Sequence, residues 1–441
     1  MMKNLKRLIA LLLSLTLTLG AVGCGAKEGT SEDTQTLTVA VTADDVEVKI
    51  MSAFIKAYKE QPGNENKEIK IVKINDNYDS WINKQLYVEQ LADIIQIYDY
   101  SSEFWTNFEL LKPISSYMER DGINEDDYYA SVIEMAKSKE GDDSMYWVPR
   151  DYNKVVVCYN TKMFELAGIE KPSDDWTFDD FYNTCKKLQA AEETIKDYTN
   201  LTKFWPADMN LNWTATYYPV IKSYGGGLID KENNAVFENI DAVKKGFSCL
   251  MKYADEGLSV TTDDATAPFV NKQCAMMFTS RPNIPEYYDY LEGEIDFVSL
   301  PTLSDVETSY IGMGCTGYGI TRLCPDEKME LAWDFLKFII SEEGQNAFSK
   351  TGSGIPALKS LAEDENATYR TVYEGLNHEA FVKFPERDIP MNYMKGFLPS
   401  KQLGIYSYIN YNLLSTFIKA TGDDREARYQ EFKTELEKKF E

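Results

Sequence analysis

Histidine is nearly missing from this chain: His378 is the only one in 441 residues. None of the seven cysteines (24, 158, 185, 249, 274, 315 and 324) belongs to a C-x-x-C pair, and the closest two, Cys315 and Cys324, are nine apart. A zinc site needs clustered thiolates or imidazoles, so no such metal centre is expected. Positive charge is also short, with 46 Lys and Arg against 71 Asp and Glu, a net charge of −25. A chain this acidic is repelled by phosphate backbones, which argues against a nucleic-acid partner. Past Cys24 no apolar stretch is long enough to cross a bilayer, and there is no internal repeat. Hydrophobic residues still make up 44%, enough for a large core, and the length asks for two domains or three.

What is present begins with a three-part leader. Lys3, Lys6 and Arg7 are basic, Ile9 to Leu19 is a short apolar run, and Gly20-Ala21-Val22-Gly23 leads to Cys24. That pattern reads as a signal peptide over residues 1–23. It resembles a bacterial lipobox, with Ala21 where Leu is usual, and the resemblance implies a diacylated Cys24. Residues 24–36 are polar and read as a lipid-anchored flexible tether. The expected location is therefore extracytoplasmic, on the outer face of the cell membrane, held by lipid alone.

The body opens on an alternating strand, Leu37 to Val41, with Thr42 to Asp45 as turn and cap. Val46, Ile50, Phe54 and Tyr58 then form a helical stripe. A strand over Ile69–Ile74, a helix over Asp79–Gln90 and a buried strand over Ala92–Ile97 complete a β-α-β-α-β series. Such a series predicts a mostly parallel sheet with helices on both faces. Further on, Lys154–Tyr159 reads as a strand. Thr177–Leu188 reads as a helix with Thr177 and Asp180 spaced as a capping box. Asp241–Glu256 is a helix, Gln273–Phe278 a buried strand, and Met329–Ile340 an amphipathic helix. The six cysteines after Cys24 sit in or beside apolar runs and read as buried thiols, with one disulfide as the alternative.

This order of pieces resembles the maltose-binding-like solute-binding proteins of ABC importers, over essentially the whole chain. Four segments carry it. They are the lipobox before a strand-helix opening, Trp147-Val148-Pro149-Arg150 running into Val155 to Lys162, the helix start at Pro172, Trp176-Thr177 and Phe181, and Lys272 to Phe278. The resemblance implies an α/β fold, a two-lobe periplasmic-binding-protein-like clamp. Each lobe would be a mainly parallel sheet flanked by helices, joined by hinge strands at Val155–Tyr159 and Thr279–Arg281 and a third crossing near Ile340. The N-terminal lobe would be 37–154 plus 281–340, the C-terminal lobe 155–280 plus 341–441. Function would be capture of a carbohydrate, mono- or oligosaccharide, in the inter-lobe cleft for delivery to a permease and its ATPase, by a monomer with no cofactor.

A sugar site needs aromatic planes and groups that bond hydroxyls, on loops at the carboxyl ends of strands. Asp44 and Asp45 follow the first strand, where capping is the other role open to them. Tyr98 and Asp99 follow the strand over 92–97. Trp81 lies early in its helix, facing core or cleft. Arg150, Asp151 and Tyr152 precede the first hinge strand, and Arg281 follows the second, with a salt bridge as its alternative. Trp205 and Trp213 flank a loop holding Asp208, Asn210 and Asn212. Gly317 and Tyr318 lie in a Gly-rich stretch that the resemblance turns toward the cleft.

Other chemistries find less support. Gly312-x-Gly314-x-x-Gly317 matches a dinucleotide pattern, yet Tyr318–Leu323 reads as a strand, and a dinucleotide site needs a helix there. A glycosidase needs two carboxylates, and nothing in the sequence singles out a pair among 71 acidic residues. No catalytic residue is expected. A peptide, polyamine or ferric-ion cargo keeps the same fold, and adjacent tyrosines such as Tyr217-Tyr218 are the only pointer to iron. An adhesin without transport would have no closing cleft.

Overall fold

The computed structural model describes residues 36–139, 141–230, 235–261, 267–391, 409 and 423–440. Cys24 and the leader lie outside them. From Thr36 onward the described residues pack as one compact unit.

Strand β1 (Thr36–Thr42) buries Leu37, Val39, Ala40 and Val41 completely. Apolar residues on both faces suit a strand covered on both sides, as parallel sheets are. Helix α1 (Asp45–Lys59) turns Ile50, Met51, Phe54 and Tyr58 inward. Its first amides are capped by Asp44, whose carboxylate accepts from Glu47 N–H at 2.9 Å. The chain continues through β2 (Glu68–Ile74), α2 (Tyr78–Tyr87), β3 (Ile94–Tyr98) and α3 (Asp99–Asn107). β1 pairs in parallel with β2 and with β3, as the alternating series predicts.

Three short strands then lead across the molecule: β4 (Val148–Pro149), β5 (Asn153–Lys154) and β6 (Val156–Asn160). Beyond them come α4 (Phe178–Ala190), β7 (Trp205–Asp208), α5 (Thr214–Ser223), α6 (Ile240–Asp255), β8 (Cys274–Thr279) and β9 (Ile295–Ser299). The return runs through β10 (Ile311–Gly314) and β11 (Thr316–Ile320). These are followed by α7 (Met329–Ile340), α8 (Glu342–Ser349), β12 (Asp388–Pro390) and α9 (Asp423–Phe440). The capping box at Thr177 forms in both directions, with Thr177 N–H donating to Asp180 and Asp180 N–H to Thr177 Oγ1.

Two larger sheets result. The first runs β2-β1-β3-β11-β4 and the second β9-β6-β8-β7. Leu37, Phe54, Trp105, Trp147 and Trp333 belong to one apolar cluster, which also takes Val156, Cys158 and Phe297 from the second sheet, and Val157, Phe181, Tyr217, Phe247 and Phe278 belong to another. The second sheet is mixed rather than mainly parallel. β6 runs antiparallel to both β8 and β9, and only β7 and β8 are parallel. A three-stranded sheet, β12-β10-β5, lies between the two.

The lobe boundaries differ from those expected. β9 still pairs with β6, so residues after Arg281 stay in the second lobe. The return crossing is β10–β11, where Gly314 pairs with Asn153 and Thr316 already pairs with Tyr98. Nor does the chain cross near Ile340. The Phe348 ring of α8 stacks on Phe54 of α1 at 6.0 Å, which keeps that segment in the first lobe. It comes back toward the second lobe where Phe381 meets Phe297 edge-on at 5.0 Å. Strand partners far apart in sequence decide these boundaries, and local apolar pattern does not carry that information. The six cysteines among the described residues are free thiols, five of them buried.

Candidate functional site

Because β2, β1 and β3 are adjacent and parallel, their carboxyl ends emerge along one edge, where open α/β sheets hold ligands. Three loops leave that edge: 42–45, 75–79 and 98–100. Ala43 N–H donates to Ile74 O at 2.9 Å, and Thr42 Oγ1 lies 3.3 Å from Tyr98 OH, so the loops touch. Asp44 and Asp45 are exposed at the start of α1, with Asp44 also accepting from Thr42 Oγ1. Trp81 is half-buried and stacks on Tyr78 at 6.3 Å. Tyr78 meets the edge of Tyr98 at 5.9 Å, and Tyr98 stacks on Tyr100 at 5.5 Å. The result is a run of four aromatic rings, of which Tyr78 is buried with its hydroxyl on Ala40 O and Gln96 N–H, while Trp81, Tyr98 and Tyr100 are half-buried near the carboxylates. Beneath them Gln96 holds Thr42 N–H through Oε1, while its buried Nε2 takes no partner among the described residues.

Asp99 starts α3 at the end of β3. Its N–H donates to Cys315 O at 3.2 Å and its Oδ1 accepts from Tyr100 N–H at 2.8 Å. Burial pushes its carboxyl up to about 7. The second carboxylate oxygen lies over Gly314, where a methyl group would stand 2.8 Å from it. A methyl on Gly312 would stand 2.1 Å from Ala215 O, in the first turn of α5. Residues two apart on a strand share a face and lie about 7 Å apart. The glycine strand β10 is therefore a floor on which Asp99 of the first lobe and the start of α5 in the second lie side by side. Glycine is required at both places by close approach.

The second lobe brings the loop after β7 to this floor. Asp208 ends β7, and its Oδ1 accepts Asn210 N–H at 2.8 Å. Burial pushes that carboxyl up as well. Trp213, half-buried, follows at the start of α5, its N–H on Asn210 O at 2.9 Å. Trp205 is not part of this arrangement. Residues 205–208 form a strand, with Trp205 at the amino end beside Cys274, three residues and about 10 Å from the carboxyl end.

The other expected residues lie behind the site. Arg150 is buried, its guanidinium on Glu47 and on Asp151 Oδ2 (3.0 and 2.7 Å), with Tyr318 OH at 3.2 Å. Burial opposes its charge, but the Glu47 and Asp151 carboxylates outweigh this and raise its pKa. The other oxygen of Asp151 accepts Thr316 N–H at 2.8 Å, tying the two crossing segments. Tyr152 is buried, stacked on Tyr129 at 4.0 Å with its hydroxyl on Asp388. Gly317 is pressed against Trp147 and Val148, and Tyr318 is core beneath α1. Arg281 is buried elsewhere, donating to Gly352 O at 3.0 Å and Tyr369 O at 2.7 Å, with His378 Nδ1 at 2.9 Å. His378 Nε2 faces Tyr373 O at 2.8 Å, so Nε2 carries the proton and Nδ1 accepts from Arg281. Burial and that guanidinium hold His378 down to about 4. These polar side chains are fully engaged by the protein, which the spacing of residues could not reveal.

Residues that composition and spacing did not single out are Glu47, Tyr78 and Tyr100. Glu47 reads as ordinary first-turn acid, and only Arg150 gives it a further part. A polar hollow of about 570 Å³ opens beside α4, lined by Gly168, Pro172, Trp176, Asp180 and Lys187 among others. All its lining lies between residues 168 and 187, so it does not join the two lobes. Among the described residues no group of three His, Cys, Asp or Glu is placed to hold a metal ion.

Two sheets linked by crossing strands, with facing loops at their carboxyl ends, define a two-lobe ligand clamp. Residues 43–346 match the family model described as bacterial extracellular solute-binding protein. The chain belongs to that family, which sets its work outside the cytoplasm with a small-molecule solute and an ABC permease as partners. Solved structures agree on the fold. An ABC substrate-binding protein of Listeria monocytogenes in complex with cycloalternan is 17% identical with a TM-score of 0.73, covering 91% of this chain and 98% of that one. UgpB of Mycobacterium tuberculosis in complex with glycerophosphocholine is 16% identical at 0.73, covering 92% and 98%. The sugar-binding protein MalE of Xanthomonas citri is 14% identical at 0.69, covering 92% and 97%. No curated protein sequence matches the chain at a significant level.

Proposed function

We propose that this protein captures a carbohydrate between its lobes and delivers it to an ABC import permease, tethered to the membrane by a lipid on Cys24. The observation that carries the reading is the edge where the half-buried rings of Trp81, Tyr98 and Tyr100 lie near the carboxylates of Asp44, Asp45 and Asp99. Flat ring faces suit the apolar faces of sugars, and carboxylates accept from their hydroxyls. Trp213 and Asp208 would meet the solute from the other lobe. Structural relatives solved with cycloalternan and with maltose support the same solute class.

A thermal-shift screen against mono- and oligosaccharides tests it. At a hundred times Kd a solute that binds only the folded state adds about 2.7 kcal/mol and raises Tm by several degrees. A panel with no shift, or product formation from an oligosaccharide, counts against the reading. The anchor is tested apart from the solute: Cys24→Ala should abolish labelling by fatty acid and release the protein from the membrane fraction.

A further inference from the structure

We propose that the cleft admits uncharged or amine-bearing saccharides and rejects anionic ones, such as sugar phosphates and uronates, with Asp99 as the main discriminating residue. The inference rests on the carbohydrate reading of the site and goes on to name the charge class of its solute. Four loops form the site: 42–45, 75–79, 98–100 and 208–213. They carry Asp44, Asp45, Asp76, Asp79, Asp99 and Asp208, and not one Lys, Arg or His. An anion entering there meets carboxylates from both lobes.

The basic groups next to the crossing do not offset this. Arg150 is held by Glu47 and Asp151, Lys154 by Asp388 at 2.7 Å, and Arg281 by two carbonyls and His378. All three are buried. Phosphate and carboxylate recognition relies on a presented guanidinium, ammonium or row of backbone amides; these loops present no basic side chain, and three of the four helix starts that follow them already carry an aspartate in the first turn, Asp45, Asp79 and Asp99.

Asp99 is the sharpest of the six because its geometry is fixed. Tyr100 N–H holds one oxygen and Cys315 O holds the Asp99 amide, while the other oxygen lies over the glycine floor beside the Cys315 backbone. A carboxylate acceptor there is matched by a hydroxyl or an ammonium donor. Above about pH 7, where the Asp99 carboxyl is ionised, a phosphate oxygen in its place would bring like charges together in a partly enclosed site, where screening is weak.

The test uses gluco-, galacto- and manno-configured mono- and disaccharides, each in neutral, 2-amino, uronate and 6-phosphate form, by titration calorimetry at about pH 8, where Asp99 is ionised, on the wild type and on Asp99→Asn. The neutral or amine form of at least one sugar should bind, with its anionic forms at least about tenfold weaker, the size expected from one unfavourable charge contact. Asp99→Asn should narrow that gap by about the same factor, with the melting temperature of the empty protein checking that the variant is folded. An anionic form binding as tightly as its neutral parent would overturn the selectivity and leave the carbohydrate reading intact. An unchanged gap in Asp99→Asn would overturn the assignment to Asp99. Failure of every form in every configuration would overturn the carbohydrate reading and the selectivity with it.

Discussion

The carboxyl of Asp99 is titratable near neutrality because the fold encloses it. An unfolded chain holds that proton only below the usual carboxylate value near 4, while the folded one keeps it up to about 7. The folded state therefore binds the extra proton between those limits. Its contribution to stability is fully present below about 4 and is lost as pH rises through about 7. Asparagine has no such proton. Denaturant melts of wild type and Asp99→Asn should show the stability difference moving in favour of the variant between about pH 4 and pH 7, then levelling. A difference that is flat over that range would mean Asp99 is not enclosed as described. The neighbouring Arg150 belongs to a different account: charged, buried and matched by Glu47 and Asp151, it joins the start of α1 to the crossing strands.

At the level of single elements, α1 is the piece that joins site to core. Its first turn presents Asp44 and Asp45, and its inner stripe seats Phe54 against Tyr318 at 6.3 Å and Phe348 at 6.0 Å. Truncating a fully buried phenylalanine removes its transfer free energy and leaves a cavity, a loss of about 3–5 kcal/mol. Phe54→Ala should therefore lower unfolding free energy by about that amount in urea titrations, and loosen the 42–45 loop with it. A loss under about 1 kcal/mol would show that α8 does not lie on α1 as described. The glycine strand β10 is the counterpart element, holding both lobes against one face by having no side chains at 312 and 314.

Across the molecule, the three-stranded sheet between the lobes holds a buried ion pair. Lys154 of β5 and Asp388 of β12 lie 2.7 Å apart with almost no exposure, and Tyr152 OH reaches the same carboxylate. Removing one member leaves the other buried and unmatched, at a loss of about 3–5 kcal/mol, whereas replacing both by apolar residues of like size is often neutral. Lys154→Met should thus destabilise strongly and Lys154→Met with Asp388→Leu should recover most of the loss, as read from thermal melts. Equal damage in the single and double variants would mean the pair is not what holds β5 to β12. Since β5, β10 and β12 are where the chain passes between lobes, this sheet is the place where any rotation of one lobe against the other must be taken up.

Much of this was legible in the chain itself. The alternating apolar strands, the stripe from Val46 to Tyr58 and the Thr177–Asp180 spacing led to the elements that form, since period and capping are local properties. The same reading led to Asp44, Asp45, Trp81, Tyr98, Asp99 and Trp213, which stand at or beside strand ends or helix starts. Tertiary structure alone decided the rest. It put Arg150 and Arg281 into buried partnerships and Trp205 at the wrong end of its strand. It moved the return crossing from Thr279–Arg281 to Gly314–Thr316. The reason is physical: a side chain's neighbours, and a strand's pairing partner, are set by residues a hundred or more positions away, through packing that no short window of sequence contains.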